Sequence, residues 1–266
     1  MPFPPSVVIM YVMETKLHYQ CLEHELFKMN SISFIPAENH PKKCVAIFTH
    51  GYTASKSDNI SWAQRMSEGN VPTIIFDLPG HKLGGYYPIN SFEEFKERAQ
   101  ECFETAYNKL LTQIDFKPEK IILGGHSLGA LLALKALELD VFSEAMAIGV
   151  GLGISQHKSN HLFETDFYQK TLNIRRQLVD ENLDSDLVFP WIKDEKISYQ
   201  IKNRRIHLIT GSDDVVVGQG GMEALNFMLE NLDNKVTMHE PKKLPHHEPS
   251  LASGHIYHFL KKELEL

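Results

Sequence analysis

Cysteine is scarce in this chain: Cys21, Cys44 and Cys102 are the only three among 266 residues. An odd number with no C-x-x-C spacing excludes a disulfide framework, a zinc ribbon and a thioredoxin-like redox centre. The three are expected to be free thiols in a reducing compartment, and none sits in a catalytic context. Clustered positive charge is also missing. With 27 Lys and Arg against 34 Asp and Glu, a net charge of -7 and a pI near 6.0, no segment is suited to a polyanion, so nucleic acid is excluded as a partner. Long apolar runs are absent too. Charge or glycine interrupts every hydrophobic stretch within about ten residues, short of the ~20 a membrane span needs. The start, Met1 to Met13, lacks a positive n-region and a small-residue cleavage site, so no secretory leader is expected and the location is read as cytoplasmic. Met10 and Met13 leave the natural start open. There is no internal repeat and no low-complexity tract. What remains is 42% hydrophobic residues, enough to bury the core of one α/β domain with an insertion.

The most informative stretch is Gly125-His126-Ser127-Leu128-Gly129. Glycines two positions either side of a serine permit a turn too sharp for larger side chains. Lys120 to Gly124 reads as a strand, and Ala130 to Glu138 is rich in strong helix formers. Strand, tight turn and helix in that order present Ser127 at a strand's carboxyl end as a nucleophile, with the N-terminus of the following helix supporting a developing oxyanion. The rest of the chain repeats the alternation. Ser31–Pro36, Lys43–Thr49, Val71–Asp77, Ala145–Val150, Arg205–Thr210 and Lys235–His239 are predicted strands separated by helical patterns, which implies a largely parallel sheet. Ser91 and Glu94 form a capping box ahead of a long helix with an apolar stripe at Phe92, Phe95, Ala99, Cys102, Phe103, Ala106 and Leu110. Some fifty residues from Gly153 to Arg204 hold no convincing strand and are predicted to be a helical cap. Its aromatics, Phe163, Phe167, Tyr168, Phe189 and Trp191, either roof a pocket or attach the cap to the body.

A serine hydroxyl needs a base and an acid. The strand ending at Thr210 runs into Ser212-Asp213-Asp214, and a proline-bracketed loop, Leu244 to Pro249, carries His246 and His247. Serine, then aspartate, then histidine is the chain order in which these groups meet above an α/β-hydrolase sheet.

Here the chain resembles the α/β-hydrolase superfamily, from about Ser31 to Leu264. Besides the serine turn, His50-Gly51-Tyr52 resembles the oxyanion loop after the third strand, Asp77-Leu78-Pro79-Gly80-His81 the D-x-P-G-H turn after the fourth, and Gly211-Ser212-Asp213-Asp214 the acid turn. The resemblance implies an α/β-hydrolase fold with a mostly parallel sheet, its core formed by 1–152 and 205–266 and its cap by 153–204. It selects Asp214 over Asp213 as the acid and, because the base usually precedes x-Pro, His247 over His246. It implies oxyanion donors at the backbone N–H groups of Tyr52 and Leu128, and it calls for no cofactor and no metal. The oxyanion loop is similar to that of small-cap carboxylesterases and acylglycerol hydrolases. The implied reaction is therefore hydrolysis of a small ester with an apolar acyl group, with thioester cleavage or acyl transfer, or a ligand-binding role without catalysis, as alternatives.

Other patterns carry less. His255 and His258 read as helix surface, since His247 to Leu251 lacks the second histidine of H-E-x-x-H. Asp180 to Asp184 lacks the glycine and glutamate of a calcium loop and reads as a solvated turn. Gly149 to Gly153 reads as room beneath the cap, and His50, His81 and His126 as structural. Lys56 reads as solvent-facing. The loop Lys82 to Tyr87, longer than the family turn, reads as surface variation or as the leaving-group side of the site.

Overall fold

The computed structural model describes residues 14–37, 42–154 and 166–264. The strands are β1 (Thr15–Glu23), β2 (Lys28–Pro36), β3 (Cys44–Thr49), β4 (Thr73–Phe76), β5 (Lys120–His126), β6 (Met146–Val150), β7 (Arg205–Ile209) and β8 (Lys235–His239). They form one sheet in the order β1-β2-β4-β3-β5-β6-β7-β8. All pairs from β4 to β8 are parallel, while β2 runs antiparallel to both its neighbours. The chain steps from β3 out to β4, then crosses back to β5 on the other side of β3. Such a reversal leaves a crevice outside the carboxyl ends of the two strands that flank it, where α/β folds bind ligands.

The period-two pattern of β3 shows how the core is divided. Val45 and Ile47 join one buried cluster, and Cys44, Ala46 and Phe48 join the other. Buried on both faces, such strands read as continuous apolar runs. The first cluster is completed by helices α3 (Cys102–Leu111), α4 (Leu128–Ala136) and α7 (Gly221–Glu230), the second by α1 (Ile60–Glu68) and α8 (Ser253–Leu264). Helix α4 is buried on nearly every side, from Leu128 to Leu134 and at Ala136, as its uniformly apolar sequence requires.

Strand β1 was not anticipated: it is an edge strand with Leu17 and Tyr19 exposed, so burial never imposed a readable alternation on it. The long helix after Ser91 is two helices, α2 (Phe92–Arg98) and α3, joined by a 3₁₀ turn at Ala99–Glu101. Its apolar stripe is nonetheless buried from Phe95 to Leu110. Ser91 Oγ accepts the Glu94 N–H at 3.2 Å, but the Glu94 carboxylate accepts from the Asn90 amide instead of completing a box.

Between β6 and β7 lie α5 (Asp166–Gln177), a 3₁₀ turn at Glu181–Leu183 and α6 (Ser185–Glu195). Asp180, read as part of a solvated turn, is buried. Its carboxylate accepts the Tyr86 hydroxyl at 2.6 Å and the Asn182 N–H at 2.9 Å. The Lys82 N–H donates to the Leu178 carbonyl and the Asp180 N–H to the Gly80 carbonyl. The loop after His81 therefore grips the segment between α5 and α6. Of the aromatics there, Trp191 packs edge-on against Phe92 and Phe95 and joins this region to the body. Phe163, and the side chains of Phe167 and Tyr168, lie outside the described residues. Among the described residues, no helix is long and apolar enough to cross a membrane.

Candidate active site

Ser127 stands between β5 and α4 with φ 50° and ψ -111°, a conformation that costs a non-glycine residue about 1–3 kcal/mol. The surroundings hold it there. The Ser127 N–H donates to the Val150 carbonyl at 2.8 Å, and its own carbonyl accepts the Leu131 N–H at 3.0 Å. The flanking glycines are required by contact: a Cβ on Gly125 would come within 2.8 Å of the Ala130 nitrogen, and one on Gly129 within 2.8 Å of the Thr49 carbonyl oxygen. Helix α4 thus starts hard against the end of β3, with Leu128, its first residue, among the amides no helical carbonyl can reach.

The loop after β3 is fixed from below. His50 Nδ1 donates to the Gly51 carbonyl at 2.8 Å, while Nε2 accepts the Leu78 N–H at 2.9 Å. Both bonds need a neutral ring, so the 3.8 Å approach of His50 to Asp77 is not an ion pair. Burial and the neighbouring His81 hold the His50 pKa well below its ordinary value. Lys56, read as solvent-facing, instead donates from Nζ to Asp77 Oδ2 at 2.6 Å and from its backbone N–H to Oδ1 at 2.8 Å. The Asp77 carboxylate is almost wholly buried, and burial raises its pKa against these bonds. The pair ties the loop after β3 to the turn after β4.

Asp214 and His246 meet at the other side of β5. Asp214 Oδ2 accepts from His246 Nδ1 at 2.8 Å, and Oδ1 accepts the N–H groups of Val216 and Val217 at 2.9 and 3.0 Å. This corrects the preference for His247: the histidine paired with the aspartate is His246. The physical reason is how the loop is anchored. Asp213 Oδ1 accepts the Leu244 N–H at 2.9 Å, and the Pro249 carbonyl accepts from Trp62 Nε1 at 2.8 Å. Between these anchors the loop turns the His246 ring toward Asp214. The His247 ring stands nearly perpendicular to it, 5.8 Å away.

His126 lies buried beneath, its ring 4.7 Å from that of His246. It packs so closely that a Cβ on Gly51 would come within 2.7 Å of its Nδ1. Burial, then the two loop histidines, push its pKa well below the ordinary range. Close enough to Asp214 to feel its charge, Lys196 Nζ donates to the Gly153 carbonyl at 2.9 Å. Desolvation lowers its pKa to about 8, and the Asp214 charge opposes this.

Ser127, Tyr52, His246 and His247 share the wall of one cavity of about 190 Å³. Phe189 reaches it from α6 and packs edge-on against Tyr52 at 5.2 Å, while Trp191, on the same helix, packs against Phe92 and Phe95. Two charged residues that the sequence did not single out complete the wall, Asp58 and Arg175. Arg175 comes from α5, far from the serine in sequence, and the adjacent arginines at 175 and 176 match no motif. Only the fold makes this one part of the site. Among the described residues, no three His, Cys, Asp or Glu side chains are grouped to hold a metal ion.

A strained serine between β5 and a buried helix and a histidine–aspartate pair from the loops after β8 and β7 lie at the carboxyl ends of the strands of an α/β-hydrolase fold. The family model described as "Alpha/beta hydrolase family" matches residues 46–200, and the chain belongs to that family. A comparison with curated proteins finds no match. Among solved structures, the chain is similar to the esterase Pf2001 of Pyrococcus furiosus, with TM-score 0.66 and 16% identity over 97% of each chain. It is also similar to Est1E from Butyrivibrio proteoclasticus, with TM-score 0.58 and 15% identity over 93% of this chain and 99% of that one. A third is Epoxide Hydrolase A from Mycobacterium thermoresistibile, with TM-score 0.64 and 12% identity over 92% and 98%. At these identities the likeness is one of fold.

Proposed function

We propose that this protein is a serine hydrolase that cleaves carboxylic esters through an acyl-serine intermediate. The observation that carries the reading is the His246–Asp214 hydrogen bond across the cavity from a serine held in the strained elbow conformation. With Nδ1 committed to Asp214, the ring has Nε2 to take the Ser127 proton as Oγ bonds to the acyl carbon. The negative charge on the carbonyl oxygen is met by the backbone N–H groups of Leu128 and Tyr52, each worth about 3 kcal/mol of barrier in comparable sites. The carbon–oxygen bond to the alcohol then breaks and the leaving oxygen takes the proton from His246. Water repeats the sequence and releases the acid and Ser127.

Serine at the nucleophile position speaks against the aspartate chemistry of epoxide opening on this fold. Cys44 and Cys102, buried and raised to about 12 and higher, offer no competing thiolate. In this reading 153–204 is a cap over a core made of 1–152 and 205–266, and the unpaired cysteines suit a reducing, cytoplasmic location.

The test is intact-mass analysis after exposure to a fluorophosphonate, with turnover of short acyl esters. Wild type is expected to gain one adduct that Ser127→Ala abolishes. His246→Ala is expected to lower kcat by about 10³-fold or more, and His247→Ala by less than tenfold. A folded wild type that neither labels nor turns over would overturn the proposal in favour of ligand binding without catalysis. Equal loss in both histidine variants would overturn the assignment of the base.

A further inference from the structure

Residues 151–154, which follow β6, are stitched to the segment that carries Asp214. The Gly151 N–H donates to the Ile209 carbonyl at 2.9 Å and the Ile154 N–H to the Gly221 carbonyl at 2.8 Å, while Thr210 Oγ1 donates to the Leu152 carbonyl at 3.4 Å. Gly153 lies so close to this segment that a Cβ there would fall 2.5 Å from Val217 Cγ1, and the Val217 N–H is one of the two that hold Asp214 Oδ1. Onto the Gly153 carbonyl comes Lys196, the residue that caps the carboxyl end of α6, donating from Nζ at 2.9 Å. A lysine at a helix end commonly serves the last carbonyls of its own helix; this one reaches past them to the strand end packed on the acid loop. Among the described residues its ammonium pairs with no carboxylate within ion-pair distance. An ammonium withdrawn from water is costly unless a negative charge compensates it, and the charge that Lys196 feels is that of Asp214.

Resting on the serine-hydrolase reading above, we propose that Lys196 is a positioning residue of the site: acting through Asp214, its positive charge offsets part of the carboxylate's field at His246 and keeps that base unprotonated to lower pH than the His246–Asp214 pair alone would allow. A carboxylate beside an imidazole favours its protonated form, and a cation near the carboxylate opposes this. The other titratable groups that bear on the His246 ring are His126 from the turn after β5 and His247 from its own loop. Both are held toward their neutral forms, His247 in part by the charge of Arg175. Asp214 is thus the anion at the ring, and Lys196 is the cation that acts on it by way of the Gly153–Val217 contact.

The experiment follows kcat/KM for 4-nitrophenyl acetate and the second-order rate of fluorophosphonate labelling across about pH 5 to 9, the range in which a histidine base titrates. The proteins are wild type, Lys196→Gln, Lys196→Met and Lys196→Arg. Glutamine keeps a donor for the Gly153 carbonyl without the charge, methionine keeps an unbranched chain with neither, and arginine keeps both. In the two neutral variants the acid limb of each profile is expected to move up by about 0.5–1 pH unit, a 3- to 10-fold loss on the limb, the size of one charge acting through a protein interior of effective dielectric about 20. Lys196→Arg is expected to hold the limb within about 0.2 pH unit of wild type. Loosened packing lowers the plateau but leaves the limb in place, so a merely structural role for Lys196 predicts no movement. A limb left in place by either neutral variant overturns the proposal, as does an equal shift in Lys196→Arg. A wild type that neither labels nor turns over brings down the hydrolase reading and this one with it, whereas labelling with an unmoved limb removes only this one.

Discussion

The Leu244 N–H donates to Asp213 Oδ1 at 2.9 Å, two residues before the histidine that Asp214 holds at 2.8 Å. Adjacent carboxylates thus grip one loop at two points, one through its backbone and one through its imidazole. Gly211 must be glycine for the same reason, because a Cβ there would overlap the Leu244 carbonyl.

This division of labour predicts different failures. Asp214→Asn keeps the shape but presents an amide to His246 and loses the preferred tautomer, so kcat is expected to fall about 10⁴-fold with little change in fold. Asp213→Asn weakens the grip on the Leu244 amide, with a stability cost of about 1 kcal/mol or less because Asp213 is exposed, and a smaller loss of rate. Urea unfolding alongside steady-state kinetics separates the two. A loss of activity larger in the Asp213 variant would mean that the acid has been misassigned.

Stability should fall in mild acid. Burial holds His81 and His207 down at about 4 and His50 and His126 well below their ordinary value. In the unfolded chain these rings bind protons near pH 6.5, so between pH 6.5 and 4 the unfolded state carries more protons than the folded one. The contribution is therefore complete above about 6.5 and is lost as pH drops, with a slope approaching 1.4 kcal/mol per pH unit for each ring that stays neutral. Urea midpoints measured from pH 7.5 to 4.5 should decline steeply. A flat profile would show that these histidines are protonated in the native state.

The Tyr86–Asp180 bond joins the loop after β4 to the segment between α5 and α6, and Tyr86→Phe removes the hydroxyl while leaving the ring. A hydrogen bond to a carboxylate contributes about 1.5–3 kcal/mol, discounted here because Tyr86 is exposed. Amide exchange is expected to speed up across 178–183, with the sheet unaffected. Unchanged exchange there would mean that the backbone bonds at Leu178 and Asp180 are sufficient to hold this segment.

Much of the fold was legible because its causes are local. The glycines around Ser127 declare a turn that backbone contact enforces, and β3 and β5 read as strands because both their faces are buried. Strand β1 was illegible for the converse reason: an exposed edge places little demand on its side chains. The role of Asp180 was missed because its partners are Tyr86 and Ile89, some ninety residues earlier.

The amino-acid sequence alone determined the tight turn at Ser127, the order of serine, aspartate and histidine along the chain, and the two loops that carry the last two. Between two histidines of the same loop, both flanked by prolines, the resemblance favoured His247, whereas the histidine that reaches Asp214 is His246. Only the tertiary structure separated them. Anchors on Asp213 and Trp62 set the direction in which the loop points each ring, and direction depends on contacts made across the whole fold. The same holds for Arg175, which reaches the pocket wall from α5, a helix far from the serine in sequence.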